Sequence, residues 1–124
     1  MFTISVTREF CAAHALLFRG VREPMHGHNF RVTVTLSGPV LDGDGVLCDF
    51  HDVEKALDGI IAPWQNANLQ EAKAFSGVNP SAEVIARTIG VAMGDALKKT
   101  LPDGVRVSSV SVTEAAGCVA TWVG

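Results

Sequence analysis

The chain has 124 residues, a formal net charge of −3, 48% hydrophobic residues and 19% charged ones. That length suits one domain, 1–124, with a modest core, and the balance excludes a disordered chain. The ten Lys and Arg are scattered, so there is no basic footprint for nucleic acid, and no apolar run is long enough to cross a bilayer.

The first segment, "MFTISVTREF", alternates polar and apolar residues, unlike the apolar core of a signal peptide. Phe2, Ile4, Val6 and Phe10 share one face, which predicts a half-buried strand over 2–10; Arg8 is the exception on that face. Residues 28–36 repeat the pattern, with Phe30, Val32, Val34 and Leu36 inward. "DGDG" at 42–45 is a turn, and a short strand over Val46–Cys48 is expected after it. Val53, Ala56, Leu57, Ile60 and Ile61 have helical spacing, with Asp49 as cap and Pro63 ending or kinking the helix. "NPSAE" announces a second helix, with Asn79 as N-cap and Pro80 in the first position. Residues 104–114 and 117–123 read as closing strands. The order ββααββ implies an α+β domain: an antiparallel sheet with two helices on one face.

Three cysteines, Cys11, Cys48 and Cys118, lack zinc-knuckle or redox spacing. They read as small buried residues and fit a reduced, cytoplasmic compartment.

The histidines carry the chemistry. His26 and His28, two apart on a strand, point the same way, with the inward parity of Phe30. His14 has the inward parity of the first strand. If the two strands form an antiparallel hairpin, three imidazoles converge near its closed end. Three His ligands with a vacant fourth position describe a catalytic zinc site; the competing reading is three separately hydrogen-bonded histidines. His51, at the start of the first helix, reads as solvated or capping. Glu114 continues the apolar face of Val110 and Val112. It either lies in water at the strand end or accepts paired N–H bonds from a planar ligand such as a pterin or guanine.

"FCAAHAL", "MHGHNFRVTV", "VLCDFHDVEKAL", "NPSAEVIA" and "VSVTEAAGCVATW" together resemble the 6-pyruvoyl-tetrahydropterin synthase family, which includes the 6-carboxytetrahydropterin synthases of queuosine synthesis. The resemblance spans nearly the whole chain. It implies a tunnelling fold (T-fold), homohexamers built as a dimer of trimers with sites between subunits, zinc on His14, His26 and His28, and a pterin held by Glu114. The substrate it implies is dihydroneopterin triphosphate. Zinc would acidify the side-chain hydroxyls as a Lewis acid.

The chain departs from the family pattern at its proton-transfer positions. Arg22 stands where the family carries its basic cysteine, four residues before the first His of HGH, and arginine stays protonated. Gln65 and Asn66 of "QNANLQ" replace an Asp-His pair, and neither amide titrates. Glu23 falls where one branch of the family places a glutamate that cleaves the side chain to 6-hydroxymethyl-dihydropterin. The resemblance therefore implies a zinc-dependent carbon–carbon or carbon–oxygen lyase with Glu23 as base. Glu23 as a surface residue, and the chain as a zinc-loaded pterin- or purine-binding protein without catalysis, is the alternative. Arg22 is suited to meeting a phosphate.

Overall fold

The computed structural model describes residues 1–124. Its backbone is built on two 13-residue strands, β1 (Phe2–His14) and β4 (His26–Gly38). They pair antiparallel along their whole length, from Phe2 opposite Gly38 to His14 opposite His26. Both run further than apolar alternation predicts. Cys11–Ala12–Ala13 and His26–Gly27 blur the hydrophobic period, yet their peptide groups continue the ladder. Between them Leu17–Phe18 (β2) and Val21–Arg22 (β3) form a small hairpin. Its turn puts both Arg19 and Gly20 at positive φ, 52° and 80°, as a two-residue primed turn requires.

The helices pack as the sequence predicts, and only the start of the second differs. In α1 (Phe50–Ile61) the Asp49 side chain accepts from the His51 N–H, and Val53, Leu57 and Ile61 are buried. The helix ends ahead of Pro63, as expected, and Pro63 sits early in a 3-10 turn, Ala62–Trp64, that delivers Trp64 to the core. Residues Ala67–Asn68 (β5) then pair with β1 in parallel. For α2 (Ala82–Leu97) the cap is Ser81, whose hydroxyl accepts from Val84 N–H. Asn79 is not the cap. Its amide matches a peptide group and pairs with Leu17 in both directions: Leu17 N–H donates to Oδ1 at 2.9 Å, and Nδ2 donates to the Leu17 carbonyl at 2.7 Å. No strand forms over Val46–Cys48. Asp42 folds that segment back, its carboxylate accepting from Asp44 N–H and Val46 N–H, and Leu47 and Cys48 turn inward as buried plugs.

β6 (Arg106–Ala115) and β7 (Cys118–Val123) complete a sheet in the order β5-β1-β4-β6-β7. Phe10, Phe30, Val32, Val34, Val110 and Val112 line its inner face and join Leu57, Ile85, Ile89 and Met93 of the helices in one buried cluster. Arg8 interrupts that face with a purpose. Its guanidinium reaches Glu54 at 2.6 Å and Asp58 at 2.8 Å, one turn apart on α1. The pairing pins helix to strand and holds the Arg8 pKa above its ordinary value, through the bonds to Asp58 and then Glu54.

Candidate metal centre

Register brings the three histidines together. His14 and His26 face each other as the last pair of the β1–β4 ladder, and His28 follows two residues along β4 on the same side. The ring centroids lie 4.7 Å (His14–His26), 5.1 Å (His14–His28) and 4.8 Å (His26–His28) apart. One ring nitrogen from each lies within 4.8 Å of the others.

The hydrogen bonds set the tautomers. His14 is fully buried, and its Nδ1 lies 2.8 Å from the Pro80 carbonyl. His26 Nδ1 lies 2.8 Å from the Pro24 carbonyl. A carbonyl only accepts, so in each neutral ring Nδ1 carries the proton and Nε2 keeps a lone pair. The Nε2 atoms of His14 and His28 are buried without a hydrogen-bond partner. Two such orphans in one place are costly for a native protein unless something receives them. Burial lowers the His28 pKa, against the pull of the nearby Glu114 carboxylate, with His14 and His26 adding to the lowering. That keeps the ring neutral, as a metal ligand must be. Phe30 stands edge-on beneath His14 and His28, giving the site an apolar floor. Imidazoles suit zinc as ligands through Nε2, and a set of three leaves a fourth coordination position.

Two carboxylates attend the cluster. Glu114 is half-buried, with Oε1 3.2 Å from His14 Nε2 and 3.8 Å from His28 Nε2. Its carboxylate is turned toward the histidines and stays partly open to solvent. Glu23 is locked twice onto Leu16: its N–H donates to the Leu16 carbonyl and its Oε1 accepts from the Leu16 N–H, both at 2.9 Å. The same Oε1 lies 3.6 Å from His26 Nε2.

The other singled-out residues lie elsewhere. Arg22 donates from Nη1 to the Ala15 carbonyl at 2.7 Å. Gln65 Oε1 accepts from Cys11 N–H, and Asn66, at φ 58°, donates its N–H to the Cys11 carbonyl. Both therefore brace the β1 edge and do not touch the histidines. His51 is exposed and bonds to Asp49. Of the cysteines only Cys48 is buried, with its thiol pKa pushed up by desolvation and then by Asp52 and Asp49. Cys11 and Cys118 are exposed, a correction to the expectation for all three. Cys11 takes the outward parity of β1, and Cys118 starts an edge strand. Sequence reasoning missed the supports behind the site. The Pro80 carbonyl orients His14. Gln70 brackets Ala15, accepting from its N–H and donating to its carbonyl. Main-chain acceptors and bracing amides leave no pattern of their own.

A model of the 6-pyruvoyl tetrahydropterin synthase family matches residues 3–124. The chain is 30% identical over 105 residues to the dihydroneopterin monophosphate aldolase of Pyrococcus furiosus, covering 85% of this chain and 82% of that one. It is 33% identical over 82 residues to human 6-pyruvoyl tetrahydrobiopterin synthase, covering 64% of this chain and 54% of that one. An Archaeoglobus fulgidus protein provisionally designated a 6-carboxy-5,6,7,8-tetrahydropterin synthase is 32% identical over 68 residues. The match takes in 55% of this chain and 58% of that relative, so the chain spans little over half of the Archaeoglobus and human proteins. In architecture it superposes on the 6-pyruvoyl tetrahydropterin synthase of Caenorhabditis elegans with a TM-score of 0.85 at 20% identity, over 99% of this chain and 95% of that one. The Plasmodium vivax enzyme superposes at 0.75, also at 20% identity and over 98% of both chains. The sheet with two helices on one face is thus the T-fold, and with the match running through all its elements, the chain belongs to the 6-pyruvoyl tetrahydropterin synthase family.

Proposed function

We propose that the protein is a zinc-dependent pterin lyase that cleaves the side chain of dihydroneopterin triphosphate or a closely related phosphate to give 6-hydroxymethyl-dihydropterin. One observation carries this reading. Two unpartnered buried Nε2 atoms and a third imidazole converge where Glu23 and Glu114 each come within 4 Å of a ring nitrogen. His14, His26 and His28 would hold the zinc, whose Lewis acidity would lower the pKa of the substrate's side-chain hydroxyls. Glu114 would accept two N–H bonds from the aminopyrimidine edge of the pterin. Glu23, already oriented by Leu16, would take the proton from a side-chain hydroxyl. The adjacent carbon–carbon bond then breaks, leaving an aldehyde on the departing fragment. Its electron pair passes into the ring imine, and a proton returned to the former side-chain carbon completes the hydroxymethyl product.

The aldolase name of the Pyrococcus relative favours cleavage over pyruvoyl formation, and its match takes in most of both chains. So does Arg22, which cannot act as the base that a cysteine there would supply. We further propose that the unit is one domain, 1–124, that it assembles as a dimer of trimers with sites between subunits, and that it works in the cytoplasm. The second reading, a zinc-loaded pterin- or purine-binding protein without catalysis, is favoured by Gln65 and Asn66. The Gln65 side-chain amide and the Asn66 main-chain N–H engage the Cys11 backbone, and neither side chain can shuttle a proton.

Zinc-loaded protein incubated with dihydroneopterin triphosphate, and separately with the monophosphate, should yield 6-hydroxymethyl-dihydropterin by mass spectrometry. Glu23→Gln should cut turnover by about 10²–10⁴-fold while leaving zinc bound. A pyruvoyl product would sink the cleavage chemistry. Unchanged substrate with zinc present would favour the binding role.

A further inference from the structure

A polar pocket lies against the β2–β3 hairpin. Its volume is about 490 Å³, and its walls include Arg22, Gln70, Asn79, Leu17, Phe75 and Val78. The donors around it are lopsided. Arg22 makes no salt bridge and spends one of its N–H groups on the Ala15 carbonyl; a guanidinium carries five. Gln70 and Asn79 each turn the amide oxygen onto a backbone N–H, of Ala15 and Leu17. Each gives one amide hydrogen to a backbone carbonyl, so each has one N–H left and an oxygen already engaged. No carboxylate lines the walls. The pocket therefore offers a planar cation and two amide donors.

We propose that this pocket is an anion site, with Arg22 as its principal donor, and that it holds a phosphate of the pterin side chain. The anion chemistry stands on the pocket alone; the identity of the ligand rests on the pterin reading above. The pocket and the cluster share supports. The Ala15 carbonyl that fixes Arg22 belongs to the residue after His14, and Asn79 precedes the Pro80 carbonyl that orients the His14 ring. On this proposal the phosphate of a pterin centred on the cluster meets Arg22. The substitution that removes the family's cysteine would then add selectivity for a phosphorylated substrate, because guanidinium forks match phosphate oxygens in pairs.

The test uses full-length, zinc-loaded protein and two probes. Inorganic phosphate is titrated by phosphorus NMR, and dihydroneopterin is compared with its monophosphate by pterin fluorescence. Wild type should bind phosphate saturably, and Arg22→Met should weaken it roughly 10- to 100-fold, the value of a charge-assisted hydrogen bond. Arg22→Lys, which keeps the charge without the fork, should fall between. Arg22→Met should also erase the preference for the monophosphate while leaving dihydroneopterin affinity and zinc content unchanged. Those two controls show that the variant is folded. Phosphate binding that is equal in wild type and Arg22→Met overturns the anion site. Phosphate binding that depends on Arg22, with neither pterin bound, leaves the anion site standing and overturns the pterin reading.

Discussion

His14 is buried completely yet keeps one ring nitrogen without a partner. Its Nδ1 is committed to the Pro80 carbonyl at 2.8 Å, so rotating the ring to satisfy Nε2 would orphan Nδ1 instead. The energetic penalty of leaving such a group unpaired is about 1–3 kcal/mol. A ligand for Nε2 removes that penalty, and Glu114, 3.2 Å away, marks the direction from which charge approaches. Two roles for Glu114 are separable. As a pterin anchor, its replacement by Gln should weaken pterin binding about tenfold or more and leave one zinc per chain. As part of the metal set, Glu114→Gln should lose zinc as well; metal analysis alongside pterin titration decides between them. The histidines and Glu114 were legible because strand parity is a strict rule: residues two apart share a face. Glu23 was legible only through its place beside the HGH motif. What fixes its carboxylate is the Leu16 N–H, a main-chain donor in a hairpin whose Arg-Gly turn lacks the usual Asn-Gly signal.

The elements were easier to place than their ends. β1 and β4 continue beyond the apolar alternation because a ladder needs only peptide groups. The α2 cap moved from Asn79 to Ser81 because an amide can mimic a peptide and a hydroxyl can cap. Packing of α2 on β7 turns on a residue that periodicity ignores. A Cβ at Gly90 would fall 2.3 Å from Cε3 and Cζ3 of Trp122, whereas one at Gly94, a turn later, meets nothing within 4 Å. Overpacking typically costs ~1–3 kcal/mol, and alanine gains up to ~1 kcal/mol over glycine inside a helix. Gly94→Ala should therefore raise the melting temperature, while Gly90→Ala lowers it. Adding Trp122→Leu should shrink the Gly90→Ala penalty if the clash with the indole is the cause. Equal effects at both glycines, measured by thermal denaturation, would remove Trp122 as the reason for Gly90.

At the scale of the molecule, the sheet is left open. Its order β5-β1-β4-β6-β7 ends on β7 at one side. At the other, the two-residue β5 covers only Ala12 and Ala13 of β1. The β7 sequence, CVATWV, has no charge and no proline, and Val119 and Val123 are exposed. Natural monomers blunt such edges. In the proposed assembly, joining β7 of one copy to the free length of β1 in the next would be a head-to-tail contact, the kind from which closed rings are built. Light scattering should give a mass of six times the 13.1 kDa subunit, or three times if the rings do not stack. Val119→Lys with Val123→Lys places charge on that edge and should shift the protein to smaller species. The same variant locates the active site. His14, His26, His28, Glu23 and Glu114 all belong to one chain, so a dissociated protein should keep its zinc. If turnover falls with the ring while zinc remains, a neighbouring subunit completes the site and could supply the titratable group that Gln65 and Asn66 lack. If turnover per chain is unchanged, one subunit is sufficient and Glu23 moves the proton with groups from its own chain.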